Sequence, residues 1–194
     1  MFSAGFSPPD AQEVTALYLA LTLLVCAARW RRRRARRERT LTPEERHAAH
    51  VARSRRTLRA ARRDPEGRLT RLRAVHPHEF EEVVLTALER RGHRIRRNAA
   101  YTGDGGIDGQ VWVRGRRFLV QSKRYKGAIR AEHIEEFARV CRRARARGLF
   151  VHTGRMGPKS VAADEASRRV VVLHGEALER LVAGQRVRVG GVRL

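Results

Sequence analysis

An α/β domain, with helices flanking a mixed sheet, is the fold class this sequence predicts, and three observations predict it. From about residue 77 onward, stretches with apolar side chains at three- and four-residue spacing alternate with short runs rich in Val, Leu and Phe. That order reads helix, two strands, helix, strand, helix, strand, helix, which an α/β layer architecture accommodates. The length of 194 residues fits one such domain plus appendages. Finally, the first 75 or so residues are too basic and too poor in apolar side chains to build a second, reader-type module.

The elements follow in order. Over 78–91, Phe80, Val83, Val84, Ala87 and Leu88 share one helical face, Pro77 stands at the first turn and Gly92 follows as a stop. Strands are expected at 110–113 and 118–123, joined by a tight hairpin. A helix over 131–147 gathers Ile134, Phe137, Ala138, Cys141 and Ala144, with Gly148 as its stop. A buried strand at 149–153, a helix at 158–167, a strand at 170–173 and a helix at 175–182 complete the pattern.

The N-terminal part differs. Residues 14–28 read VTALYLALTLLVCAA and run directly into WRRRRARRER. The apolar run is short of the roughly 20 residues that cross a bilayer core, although Ala11, Gln12 and Trp30 extend it, so a single transmembrane helix over about 12–30 is expected. A signal peptide fits worse, because its charges precede the apolar stretch. Arginines on the C-terminal side place the remainder on the cytoplasmic face of the cell membrane, with a cytoplasmic protein as the alternative. Residues 31–73 read as an arginine-rich linker, helical or disordered, broken at Pro43 and at Asp64-Pro65-Glu66-Gly67. The expected division is thus 1–30, 31–73 and a domain over 74–194.

Charge bounds the partners. The chain carries a formal +23, and the segment 29–73 alone holds 18 Arg against five acids. Such a balance attracts polyanions, either nucleic acid or an anionic membrane face, and suits a small acidic protein less well. Two cysteines, Cys26 and Cys141, exclude a disulfide framework and a cysteine metal cluster, and suit a reducing compartment.

The sharpest signal is VQSKRYKG at 120–127. Positive charge in this chain is almost all arginine, yet two of its three lysines, Lys123 and Lys126, lie here. A type II′ turn at Gly115-Arg116 would set Gln110 against Gln121 and Asp108 against Lys123, bringing a carboxylate, an amide and an ammonium to one face. A cross-strand salt bridge with an idle neighbour is the plain alternative. The flexible approach GDGGI at 103–107 and the choice of a compact point charge over a planar fork favour a site.

These residues carry a resemblance. DGGIDG and VQSKRYKG, preceded by HEFEEVV and followed by LFVHTGRMGPKSVA, resemble the catalytic domain of Mrr-type restriction endonucleases, of the PD-(D/E)xK nuclease superfamily, over about 76–183. The resemblance implies a restriction-endonuclease-like core and a metal-dependent DNA endonuclease that hydrolyses phosphodiester bonds. Residue by residue it implies Asp108 as metal-binding acid, Gln121 in the position of the family's Glu or Gln, Lys123 as catalytic lysine and Glu81 as the acid of the first helix. The carbonyl of Ser122 would lie at the ion, which the chemistry of hard oxygen ligands makes Mg²⁺, or Mn²⁺. Glutamine at 121 leaves one negative charge fewer there. Arg124, Tyr125, Lys126 and Arg130 suit DNA phosphate contacts, with a solvated loop as the alternative. Asp104 either binds metal or makes its turn. No small-molecule cofactor is implied. Double-strand cleavage calls for two active sites and hence a homodimer, for which the sequence marks no interface. Two other readings stay open: a DNA-binding and tethering module that is catalytically weak or inactive, and a structure-specific, junction-resolvase-like nuclease.

Overall fold

The computed structural model describes residues 11–98 and 106–194, which fall into two units, 1–42 and 43–194. The first unit holds one helix, α1 (Ala11–Thr40), in which the apolar run and the arginine run are continuous. Leu17, Tyr18, Leu23 and Leu24 are about 70% exposed, and exposed apolar residues recur on every side of the helix rather than along a stripe. A separate apolar helix is therefore not what forms. No helix among the described residues is long and apolar enough to cross a membrane, which corrects the transmembrane expectation. The reason is length: 15 apolar residues at about 1.5 Å each reach roughly 22 Å, against a hydrocarbon core of about 30 Å.

The second unit begins where a linker was expected. Residues 43–73 form α2 (Pro43–Arg63) and α3 (Arg68–Ala74), separated at Asp64-Pro65-Glu66-Gly67. The acid Asp64 earns its place there by accepting from the Gly67 N–H at 2.9 Å and from Arg71 at 2.9 Å. His50, Ser54, Leu58 and Ala61 recur at helical spacing and are buried, so α2 has an inner face despite its arginines. That face packs on α4 (Pro77–Arg90), where Ser54 and Thr86 share a buried hydroxyl hydrogen bond of 2.9 Å.

The sheet has five strands in the order β1 (Arg94–Arg97), β2 (Gly109–Val113), β3 (Arg116–Lys123), β4 (Arg147–His152) and β5 (Val170–Leu173). The first three pair antiparallel and the last three parallel, giving the mixed sheet expected. Alternation assigns the two faces. Val111, Phe118, Val120, Val151 and Leu173 join Leu58, Phe80, Leu85 and Leu88 in one core, with α7 (Gly175–Val182) closing it. Leu119, Phe150 and Val172 face α5 (Ala131–Arg143) and α6 (Pro158–Ala166) in the other. A hairpin of β6 (Arg188–Val189) and β7 (Val192–Arg193) ends the chain.

Two local expectations are corrected. The hairpin turns on Arg114-Gly115, both with positive φ (50° and 77°), so Trp112 pairs with Arg117 and Gln110 with Leu119. Two left-handed residues give the twist that the flanking strands require, and the glycine accepts that conformation freely. And α5 stops before Arg145, which is left-handed at φ 49°. Gly148 instead lies within β4, where a Cβ would meet Cys141 Sγ and a Phe137 ring carbon, both at 2.6 Å.

Candidate active site

The corrected register moves Asp108 from opposite Lys123 to opposite Gln121, by continuing the pairing of Gly109 with Val120. A shift of two residues leaves the faces unchanged, because strand side chains alternate with period two. The Asp108 N–H donates to the Val120 carbonyl at 2.8 Å, holding the acid against β3 just before β2 begins. Its Oδ2 accepts from the Ser122 N–H at 2.5 Å. Gln121 is fixed from the same side, its Nε2 donating to the Gly106 carbonyl at 2.7 Å. Gly106 has φ +81°, and a Cβ there would lie 2.6 Å from Gln121 Nε2, so the approach needs glycine. The Gln121 amide oxygen makes no hydrogen bond among the described residues. Ser122 Oγ is buried without a partner among the described residues.

Asp108, Gln121, Ser122 and Lys123 are thus brought together at one end of the antiparallel pair. Lys123, half-buried, pairs in register with His152 of β4 and lies close enough to His133 to disfavour its protonation. Burial is the main reason that the His133 pKa is lowered, with the Lys123 charge next. The neutral imidazole engages the Tyr125 hydroxyl through Nδ1 at 2.9 Å, with the two rings stacked 5.6 Å apart.

Glu81 comes from α4 and has a partner of its own. Three glutamates stand in the first turns of α4, and the structure separates their duties. Glu79 accepts from Thr57 at 2.6 Å and pairs with Arg53; Glu82, only 2% exposed, accepts from Arg97 Nε at 2.9 Å. Both tie α4 to neighbouring elements. Burial raises the Glu82 pKa against the pull of Arg97. Glu81 is held instead by His78 Nδ1 at 3.1 Å, beside the ring group of His50, His76 and His78, whose centroids are 5.1–5.9 Å apart. Sequence reasoning missed His78; its spacing of three from Glu81 on a helix was the available signal.

The four residues expected to touch DNA divide as well. Lys126 and Arg130 are exposed, Arg130 beside Glu132 at 3.3 Å. Arg124 is half-buried, with one guanidinium nitrogen on the Arg73 carbonyl at 2.6 Å and Nε buried without a partner among the described residues. Tyr125 packs against the α5-side core and its N–H donates to Thr153 Oγ1 at 2.9 Å. His152 is fully buried, stacked on His174 at 5.1 Å, with its pKa pushed down to about 3, mainly by burial. Asp104 lies outside the described residues. Among the described residues no group of three or more His, Cys, Asp or Glu is arranged to hold a metal ion.

A mixed sheet with an acid, an amide and a lysine at the open end of its hairpin defines the restriction-endonuclease-like class of nuclease core. The family model described as the Mrr restriction endonuclease catalytic domain matches residues 72–182, more than half of the chain, and the chain belongs to that family. Helix α2 lies ahead of the matched segment. No curated protein and no solved structure gives a significant match.

Proposed function

We propose that this chain is a metal-dependent DNA endonuclease whose active site is Asp108, Gln121 and Lys123, with Glu81 as the accessory acid. The observation that carries the reading is the clamp of Asp108 Oδ2 on the Ser122 N–H, which sets the acid beside the Gln-x-Lys stretch. The donors fit a hard divalent cation such as Mg²⁺ or Mn²⁺. The Asp108 carboxylate, the Gln121 amide oxygen and the Ser122 carbonyl are all oxygen ligands, and the Gly106 contact consumes the amide nitrogen rather than its oxygen. A cation held there would supply charge neutralisation at the scissile phosphate and a more acidic bound water. With only one carboxylate in this set, such a cation would be held weakly.

The chain's own residues do the rest. Lys123 presents a compact ammonium to the phosphate and stabilises charge that develops as the P–O bond breaks. The neutral His133 holds Tyr125 in place beside it without adding a second cation. Glu81, steadied by His78, supplies a carboxylate from the α4 side. Lys126 and Arg130 are the exposed cations that meet flanking phosphates.

Cleavage of supercoiled plasmid by the full chain tests this. Mg²⁺-dependent nicking is expected, reduced at least a hundredfold in both Asp108→Ala and Lys123→Ala, the scale at which electrostatic groups of this kind act. Tight binding without cleavage in either metal would replace the enzyme by a DNA-tethering module.

Tethering is a separate part of the proposal. The exposed apolar run of α1, followed by arginines, suits partial insertion into an anionic bilayer from the cytoplasmic side, with the nuclease unit left in the cytoplasm. Sedimentation with phosphatidylserine vesicles that is lost on removing residues 1–42 is the expected result.

A further inference from the structure

A cleft of about 520 Å³ opens between α5, α6 and the loop leading into β5. Arg139 and Arg142 line it from one face of α5, and Arg168 and Arg169 line it from the loop, over the small side chains of Ala138 and Ala163. Glu135 is its one lining carboxylate, and neither it nor any of the four guanidinium groups has an ion-pair or hydrogen-bond partner among the described residues.

The loop is rigidly placed. The Ser167 N–H donates to the Ala163 and Asp164 carbonyls at 3.1 and 3.0 Å, the Arg169 carbonyl accepts from the Gly148 N–H at 2.8 Å, and Ser167 Oγ accepts from the Val170 N–H at 3.2 Å. Four like charges line one concave surface and repel one another. A cleft of one sign focuses the field on an anionic ligand. Guanidinium is also the group that matches phosphate through paired N–H donors.

The cleft lies at the level where Gly148 pairs with Val170, four residues down β4 from His152, the register partner of Lys123. At about 3.3 Å per residue it is roughly 13 Å from the lysine along the strand.

We infer that this arginine cleft grips the phosphate backbone of the DNA at a second place, away from the bond that is cut. The inference rests on the nuclease reading for the identity of the anion. It makes α5 the link between the two places, with its N-terminus near Lys123 and its C-terminal turn at the cleft.

Binding of the full chain to a 30-base-pair duplex, followed by fluorescence anisotropy in metal-free buffer across a salt series, tests it. The double variant Arg142→Gln with Arg168→Gln is compared with the equally charged control Arg114→Gln with Arg116→Gln, whose side chains are exposed at the hairpin turn. For the cleft variant Kd is expected to rise about tenfold and the slope of log K against log salt to become shallower by about two, with less than half of each change in the control. Thermal melting of both variants establishes that they are folded. Equal losses in cleft and control variants would overturn the inference in favour of bulk charge, as would an unchanged salt slope. So would tripolyphosphate binding that the cleft variant loses while its duplex binding is intact, since the cleft would then hold a small anion. Because no metal is present, a cleft-specific loss stands even if plasmid cleavage fails; that failure would count against the nuclease reading alone.

Discussion

Helices α1 and α2 look alike in composition and behave differently. Both are long and rich in arginine, 30 and 21 residues, and both combine their charge with Ala and Leu. In α2 the buried residues His50, Ser54, Leu58 and Ala61 recur at helical spacing, and Leu58 and Ala61 are 1% and 0% exposed. In α1 the apolar residues are more numerous but consecutive, so they point all round the helix and remain exposed. The periodicity of apolar side chains, rather than their number, decides which of two basic helices joins a core.

The comparison can be broken most sharply at Leu58. Leu58→Ala removes a fully buried side chain and is expected to destabilise the second unit by about 2–5 kcal/mol, read as a fall in denaturation midpoint. Were α2 a linker, the midpoint would not move.

A pH series sharpens the contrast next, because all eight histidines lie beyond the first unit. His93, His133, His152 and His174 all have lowered pKa values in the folded chain, chiefly through burial. The unfolded chain takes up their protons near pH 6.5, and the folded chain does so only further down, to about 3 for His152. Stability is therefore expected to fall as pH drops below 6.5, at up to about 1.4 kcal/mol per pH unit for each such histidine. Asp164, raised by burial, acts in the opposite sense near its own pKa. A shallower acid limb in His152→Leu, followed by urea unfolding, is the check.

Smaller again is Ser54→Ala, which leaves Thr86 with only its Arg97 contact and is expected to cost about 1 kcal/mol. Smallest is Leu21→Ser in α1. Its side chain is 59% exposed, and the melting of the second unit should change by less than about 0.5 kcal/mol. A loss comparable to that of Leu58→Ala would erase the distinction between the helices.

Much of the domain is legible in its sequence. The strand over 170–173 and the helix over 175–182 lie where they were expected, since each is bounded by unambiguous apolar spacing. Strand β1 was not legible, because three of its four residues are arginines; Arg97 turns inward to Glu82, Glu89 and Thr86, and Arg94 lies over the Trp112 ring at 4.7 Å. The neighbours that make arginine acceptable in a strand are distant in sequence. Asp108, Gln121 and Lys123 were legible as neighbours across one hairpin, but their register was not. A two-residue loop can be placed on Gly115-Arg116 or on Arg114-Gly115 with the same letters, and only the fit of the twisted strands selects the second.

By itself, the sequence determined the alternation that makes an α/β layer, the excess of arginine, and the motif that places this chain among Mrr-type restriction endonucleases. These are local or compositional properties, set by the order of neighbouring side chains. Only the tertiary structure decided that residues 43–73 belong to the folded unit, that Glu79 and Glu82 brace α4 while Glu81 turns to His78, and that four arginines line one cleft. Each of those depends on which distant residues come into contact, and contact across a fold is fixed by packing and hydrogen-bond satisfaction rather than by spacing along the chain.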